Sequence, residues 1–225
     1  MSFVNPIKTN HKVKINPEHG LAIADGYDNL KHSPGDPDVK AAYDSLIKET
    51  RTQYDDLISG GLKVTKLKEG ERGYINAEEM HTDLKENNHL SYFPTEQGFG
   101  ANEGNFQDHP MLTGSGIVGL DGNDIPNNDL FRIVHDINGH NKSDLSDFSP
   151  EGEHKAYLTH KQQYSPTAGR ALFTETAGQA NWGVFNRKSG EKNRQKIIRG
   201  DLDLDFAEQK AGIFPDSIIN GKHHQ

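Results

Sequence analysis

The sequence predicts a mainly α-helical protein with a small β component, an α+β fold with long irregular loops. Three features lead to that expectation. A long run of helically spaced apolar residues opens at Asp36-Pro37 and stops at Gly60-Gly61. From Asn128 onward most of the chain again shows helical spacing. Strand character is confined to two short stretches, 62–67 and 89–94.

Taken in order, residues 1–35 show little periodicity and carry turn signals at Asn5-Pro6, Asn16-Pro17 and Ser33-Pro34-Gly35. They predict an irregular N-terminal arm ahead of a single globular domain over 36–225. In the first helix Asp36 is the N-cap, Pro37 takes the first helical position and Asp38 suits the positive end of the dipole. Val39, Tyr43, Leu46, Ile47, Tyr54, Leu57 and Ile58 supply its core face. Leu62-Lys-Val-Thr-Lys-Leu67 alternates as a strand does, a helix runs from Asn76 to about Glu86, and His89-Leu-Ser-Tyr-Phe-Pro94 is a second strand cut off by its proline. Residues 95–129 are rich in Gly, Asn, Asp and Pro and predict a long loop, of the kind that serves as a lid or binding wall. Helices follow over 128–139, 151–164 and 166–186. A basic, solvated loop over 187–199, an acidic run at 201–205 and a short helix over 206–215 complete the chain.

The chain has 225 residues, 32% of them hydrophobic, which suits one polar-surfaced domain. It has no cysteine, so thiolate metal ligands, Fe–S clusters, disulfides and cysteine nucleophiles are excluded together. A net charge of -8 argues against broad electrostatic binding of nucleic acid. The first residues lack the apolar stretch of a signal peptide, and no apolar run is long enough to span a bilayer, so neither secretion nor a membrane partner is expected.

The chemistry is placed around Phe131-Arg-Ile-Val-His-Asp-Ile-Asn-Gly-His140. On a continuous α-helix, positions five apart differ by about 140° around the axis, so His135 and His140 would not share a face. A helix ending with Gly139 in the left-handed conformation would turn the chain back and let the imidazoles converge, the usual start of a transition-metal site. Downstream, Glu153 and His160 are seven apart and share a helical face, as do Glu175 and Gln179, four apart. Small neighbours at Thr176, Ala177, Gly178 and Ala180 predict close helix packing around Glu175, whose carboxylate then needs a partner, either a metal or an arginine such as Arg132 or Arg170.

Phe131 to His140 together with Phe173-Thr-Glu175 resembles the iron site of the pterin-dependent aromatic amino acid hydroxylases. That likeness implies His135, His140 and Glu175 as a 2-His-1-carboxylate triad for Fe(II), with Zn or Mn as other candidate metals. Glu153 and His160 would then orient ligands or move protons, with a ligand role for either as the alternative and a dinuclear site if both join the triad, and Gln179 and Trp182 would line the substrate pocket. The sequence departs from the pattern where Asp136 follows His135, where Glu175 comes one position early after Phe-Thr, and in lacking a recognisable pterin segment. An organic cofactor is therefore left unassigned, and the redox reading depends on Glu175 reaching both rings.

Val39-Lys-Ala-Ala-Tyr-Asp-Ser-Leu-Ile47, Tyr92-Phe-Pro-Thr-Glu96, Asn128-Asp-Leu-Phe-Arg132, Tyr164-Ser-Pro166, Glu175-Thr-Ala-Gly-Gln179 and Phe206-Ala-Glu-Gln-Lys210 are similar to segments of an uncharacterised family encoded by tailed bacteriophages. This implies a phage protein working in the host cytoplasm or the virion, as a homo-oligomer or virion component, and brings no activity with it. Two other function classes compete with an oxygenase acting on a small molecule. His135-Asp136 resembles the doublet of HD-type metal phosphohydrolases, with His109 as the upstream histidine. A phage structural or host-interaction protein would use the same His/Glu cluster as a structural metal site or buried polar network.

Overall fold

The computed structural model describes residues 14–98, 107–119, 122–143, 146–199 and 205–221. It is mainly helical with few strands, as expected. Among the described residues no helix is long and apolar enough to cross a membrane.

The expected N-terminal arm is in part a helix. Helix α1 spans Pro17–Asn29, with the Asn16 side chain accepting from the Glu18 N–H and Pro17 in the first turn. Asn16-Pro17 is thus a helix start and not a turn. The periodicity was faint because the buried stripe is Gly20, Ile23, Ala24 and Tyr27, two of whose members carry almost no side chain. Their smallness is what the packing needs, since a Cβ on Gly20 would lie 2.6 Å from the Phe185 ring. The rest of the expected arm, residues 1–13, lies outside the described residues.

Helix α2, Pro37–Ser59, begins at the Asp36 cap, whose Oδ1 accepts from the N–H groups of Asp38 and Val39. Strand β1, Lys63–Lys66, and strand β2, His89–Tyr92, pair in parallel with Val64 opposite Leu90, joined through helix α3, Ala77–Asn87. The long loop expected over 95–129 is more ordered than its composition suggested. It holds the short helix α4, Thr95–Gly98, a 3₁₀ turn at Pro110–Leu112, and an antiparallel pair, β3 (Gly114–Val118) with β4 (Asp124–Pro126). Residues 99–106 and 120–121 of that stretch lie outside the described residues.

Helix α5, Asn127–His135, runs through the middle of the molecule. All of its residues except Arg132 are buried. Phe131 packs into a core with Tyr43, Leu46, Tyr157 and Phe173, and Ile133 and Val134 into a second core with Met80, Leu84 and Leu90. Each such large apolar side chain contributes roughly 1.5–3 kcal/mol on burial, so α5 is held on two sides and its C-terminal end is fixed in place. Helix α6, Pro150–Lys161, is capped by Ser149, and helix α7, Pro166–Phe173, by Ser165, both serines accepting from a backbone N–H two or three residues into the first turn. Helix α8, Gln179–Phe185, packs on α1.

Two further expectations change. Residues 190–199 form helix α9, Gly190–Arg199, where a basic loop was expected. Among its described side chains the one deeply buried polar residue, Asn193, donates to the carbonyls of Gly183 and Asp205, a tertiary anchor with no sequence signature. Conversely 206–215 is not helical, and Ala207, Gln209 and Ala211 are buried in alternation, as in an extended segment. The last helix, α10, Asp216–Ile219, starts after the proline that was expected to end one. Of the acidic run at 201–205, residues 201–204 lie outside the described residues.

Candidate metal centre

His135 ends α5, and the chain continues without a break into a π-helical turn, Asp136–Asn141, marked by the Lys142 N–H bonding to the Ile137 carbonyl five residues back. A π-turn inserts one residue into the helical repeat, so side chains five apart come to lie over one another. His135 and His140 converge for that reason. The expected device, a left-handed Gly139, is absent, since this glycine is not among those with positive φ. Glycine is needed at 139 for space, because a Cβ there would sit 2.9 Å from His135 Nδ1.

The carboxylate that meets both rings is Glu153, from the first turn of α6. Glu153 Oε1 lies 3.3 Å from His140 Nε2 and Oε2 lies 3.6 Å from His135 Nε2. Among the described residues this is the one group of three whose ligand atoms all lie within 4.8 Å of one another. Glu175, the expected third ligand, is not part of it. Its Oε1 accepts from the Tyr43 hydroxyl at 2.5 Å and lies 3.5 Å from His109 Nε2, and its Oε2 accepts from Gln179 Nε2 at 3.0 Å. A second π-turn, Thr174–Gly178, carries Glu175 into this group of donors. The carboxylate found its partner in a tyrosine, a histidine and a glutamine, and in neither Arg132 nor Arg170.

Hydrogen bonds on the far side of each ring set the tautomers. His140 Nδ1 is 3.0 Å from the Ser146 carbonyl, which can only accept, so Nδ1 carries a proton and in the neutral ring Nε2 carries the lone pair. His160 Nε2 faces Gln53 Oε1 at 3.2 Å, an oxygen that also accepts from Asn138 Nδ2. His160 therefore donates from Nε2. Burial, with the nearby His135, Lys142 and His140, pushes its pKa well below the ordinary range, so the ring is neutral and its Nδ1 accepts. The bond between His160 Nδ1 and His135 Nδ1, 3.0 Å, must then run from His135, leaving His135 Nε2 with a lone pair as well. That nitrogen is buried without a hydrogen-bond partner. Both nitrogens of His160 are engaged, so it positions His135 and is not a ligand, and a dinuclear site using it is not formed.

Two lone pairs and a carboxylate thus face one another, an arrangement that repels unless a cation sits among them. A proton can serve. Burial alone would depress His140, but the attraction of Glu153 outweighs it and raises the pKa to about 9. A divalent metal fits the same donor set better, because it takes both nitrogens and the carboxylate together.

The triad opens on a cleft of about 330 Å³ whose apolar walls include Phe131, Phe148, Val184 and Phe206. Phe131 stacks on the His135 ring, and Phe148 meets the His140 ring edge-on at 5.0 Å. Arg132, Asp136, Glu175 and Gln179 also line the cleft. Burial raises the Asp136 carboxyl above its usual range despite the neighbouring histidines and Arg132. Gln179 is where sequence placed it. Trp182 is not, because it faces α1 and donates from Nε1 to Asp28 at 2.8 Å. His109, the upstream histidine an HD-type site would call on, sits against Glu175 away from the triad, its Nδ1 accepting from the Met111 N–H at 3.2 Å. A larger cleft of about 1250 Å³ beside β1 and β3 has no such group of ligating side chains among the described residues.

The chain matches no protein-family profile, no curated protein and no solved structure.

Proposed function

We propose that the protein is a mononuclear metalloenzyme that holds Fe(II) on His135, His140 and Glu153 and acts on a small molecule in the adjoining cleft. The observation that carries this reading is the buried, partnerless His135 Nε2 turned with His140 Nε2 toward one carboxylate. Two neutral imidazoles and a carboxylate with open positions beside them are the donor set of non-haem Fe(II) oxygenases. When bound, the ion would supply the redox chemistry of dioxygen activation. The chain's own residues orient the imidazoles through His160, Gln53 and the Ser146 carbonyl, and keep bulk water from the reacting groups with Phe131 and Phe148. Asp136, whose carboxyl is biased toward holding a proton, is placed to exchange one with a molecule in the cleft.

Glu175 does not reach the two rings, so the redox reading no longer rests on the hydroxylase likeness, which extends to two ligand positions and supports neither a pterin nor an amino acid substrate; it rests on the donor set that Glu153 completes. The phage likeness supports a phage origin, with work in the host cytoplasm or the virion.

The test is metal loading under anaerobic conditions followed by elemental analysis and oxygen consumption. One Fe(II) per chain is expected in the natural protein and in Glu175→Gln, with loss in Glu153→Gln, and oxygen uptake that requires iron. Equal loss in both variants, or no binding to the natural protein, would overturn the triad. Tighter binding of Zn than of Fe(II), together with no oxygen uptake by the iron-loaded protein, would replace redox chemistry by hydrolysis.

A further inference from the structure

Glu175 remains unexplained by the metal centre, although it lines the same cleft. The two groups face opposite chemical needs. At the triad the imidazoles present lone pairs. Around Glu175 the neighbours offer hydrogens: Tyr43 donates from its hydroxyl and Gln179 from its amide, and His109 Nε2, which must carry the proton because Nδ1 accepts from the Met111 N–H, faces Oε1 at 3.5 Å without bonding it. Such an environment stabilises a fixed negative charge and does not bind a metal. Tyr43 and His109 both lie on the Oε1 side, so Oε2, bonded only by Gln179, has capacity for one more donor.

Carboxyl groups also outnumber cationic ones among the described residues that line the cleft. Asp136, Glu153, Glu175 and Asp205 line it against the single guanidinium of Arg132, and the remaining walls are largely apolar, with Phe131, Phe148, Val184 and Phe206. Asp205 is paired with Lys192 at 4.0 Å, and the charge of Arg132 is shared among Asp136, Asp129 and Glu153, so among the described residues Glu175 is the carboxylate of the cleft with no lysine or arginine beside it.

We propose that Glu175 is the specificity-determining residue of the cleft and receives the protonated nitrogen of an apolar-bodied amine that carries no carboxylate. The inference rests on the reading of this cleft as a substrate site, and names its substrate class. An ammonium group meets a carboxylate already desolvated and held in place, so little is spent on ordering it, and the charge-assisted bond is correspondingly strong. An amino acid is disfavoured, because the carboxylate on the carbon that bears its nitrogen would be brought against Glu175 itself.

The experiment uses the zinc-loaded full chain, titrated calorimetrically with n-hexylamine, 1-hexanol and hexanoate. The natural protein should bind the amine at least tenfold more tightly than the alcohol and bind hexanoate most weakly. Glu175→Gln should lose roughly ten- to hundredfold in amine affinity, and no more than threefold for the alcohol. Equal binding of the three probes to the natural protein overturns the proposal without recourse to any variant. Amine binding unaffected by Glu175→Gln overturns it too, since the nitrogen would then sit on the metal. Zinc binding is measured separately. A protein that holds zinc but ignores charge in the probe sinks only this inference, whereas one that holds no metal yet prefers the amine through Glu175 sinks only the metal centre.

Discussion

Replacing His160 by phenylalanine separates the positioning of a ligand from the ligand itself. Phenylalanine keeps a planar ring between Phe131 and Tyr164, whose centroids lie 6.3 and 4.7 Å from that of His160, so no large cavity follows. What is lost is the acceptor for the His135 Nδ1–H, 3.0 Å away in a site where His160 is wholly buried. A buried donor left unpaired costs about 1–3 kcal/mol, partly offset here because a desolvated imidazole is exchanged for an apolar ring. A net destabilisation of about 1 kcal/mol is expected in metal-free protein, read by urea denaturation. The larger effect falls on the metal. Without its acceptor the His135 proton is free to move to Nε2, the atom that faces Glu153, and loss of such a supporting bond lowers metal affinity roughly 10–100-fold. Competition with a chromophoric chelator measures this directly, and His160→Gln, which restores a carbonyl acceptor, should recover part of it. A zinc affinity within threefold of the natural protein in His160→Phe would refute the tautomer argument and, with it, the assignment of a lone pair to His135 Nε2.

Three further predictions concern the same site. In metal-free protein His140 is held protonated to about pH 9 by Glu153, above its value of about 6.5 when unfolded. The stability this confers is fully present below about pH 6.5 and is lost as the pH rises through about 9, so the thermal midpoint of the chelated protein should fall across that window. Metal uptake at neutral pH should correspondingly release about one proton, measured as the dependence of calorimetric heat on the buffer's ionisation enthalpy; no release would mean that His140 is not a ligand. At Gly152, next to Glu153, an added Cβ would lie 2.0 Å from the Asp147 carbonyl oxygen. Gly152→Ala should cost about 1–3 kcal/mol of stability and weaken metal binding by moving the start of α6, whereas unchanged values would show that the 147–149 turn yields freely.

Much of the scaffold was legible because its signals are local. Asp36-Pro37, Asn76 and the 62–67 alternation act within a few residues, and each appears as the expected helix start or strand. The misses share a different cause. Helix α1 hides behind a stripe of small residues whose value lies in contact with Phe185, and α9 behind a buried asparagine whose partners are ten and twelve residues away. Composition at 206–215 favoured a helix that burial in alternation overrode.

At the centre, the amino acid order carried the histidine pair, the nearby acids and the exclusion of thiolate chemistry, since these depend on residue identity and short spacing. It could not choose between Glu153 and Glu175. Both are glutamates on helices beside small residues, and the choice turns on which one a π-turn and a neighbouring tyrosine, histidine and glutamine claim first. Likewise the protonation of each imidazole follows from acceptors supplied by distant parts of the chain, Gln53 above all. Side-chain chemistry is written residue by residue, whereas the direction in which a lone pair points is a property of the packed neighbours.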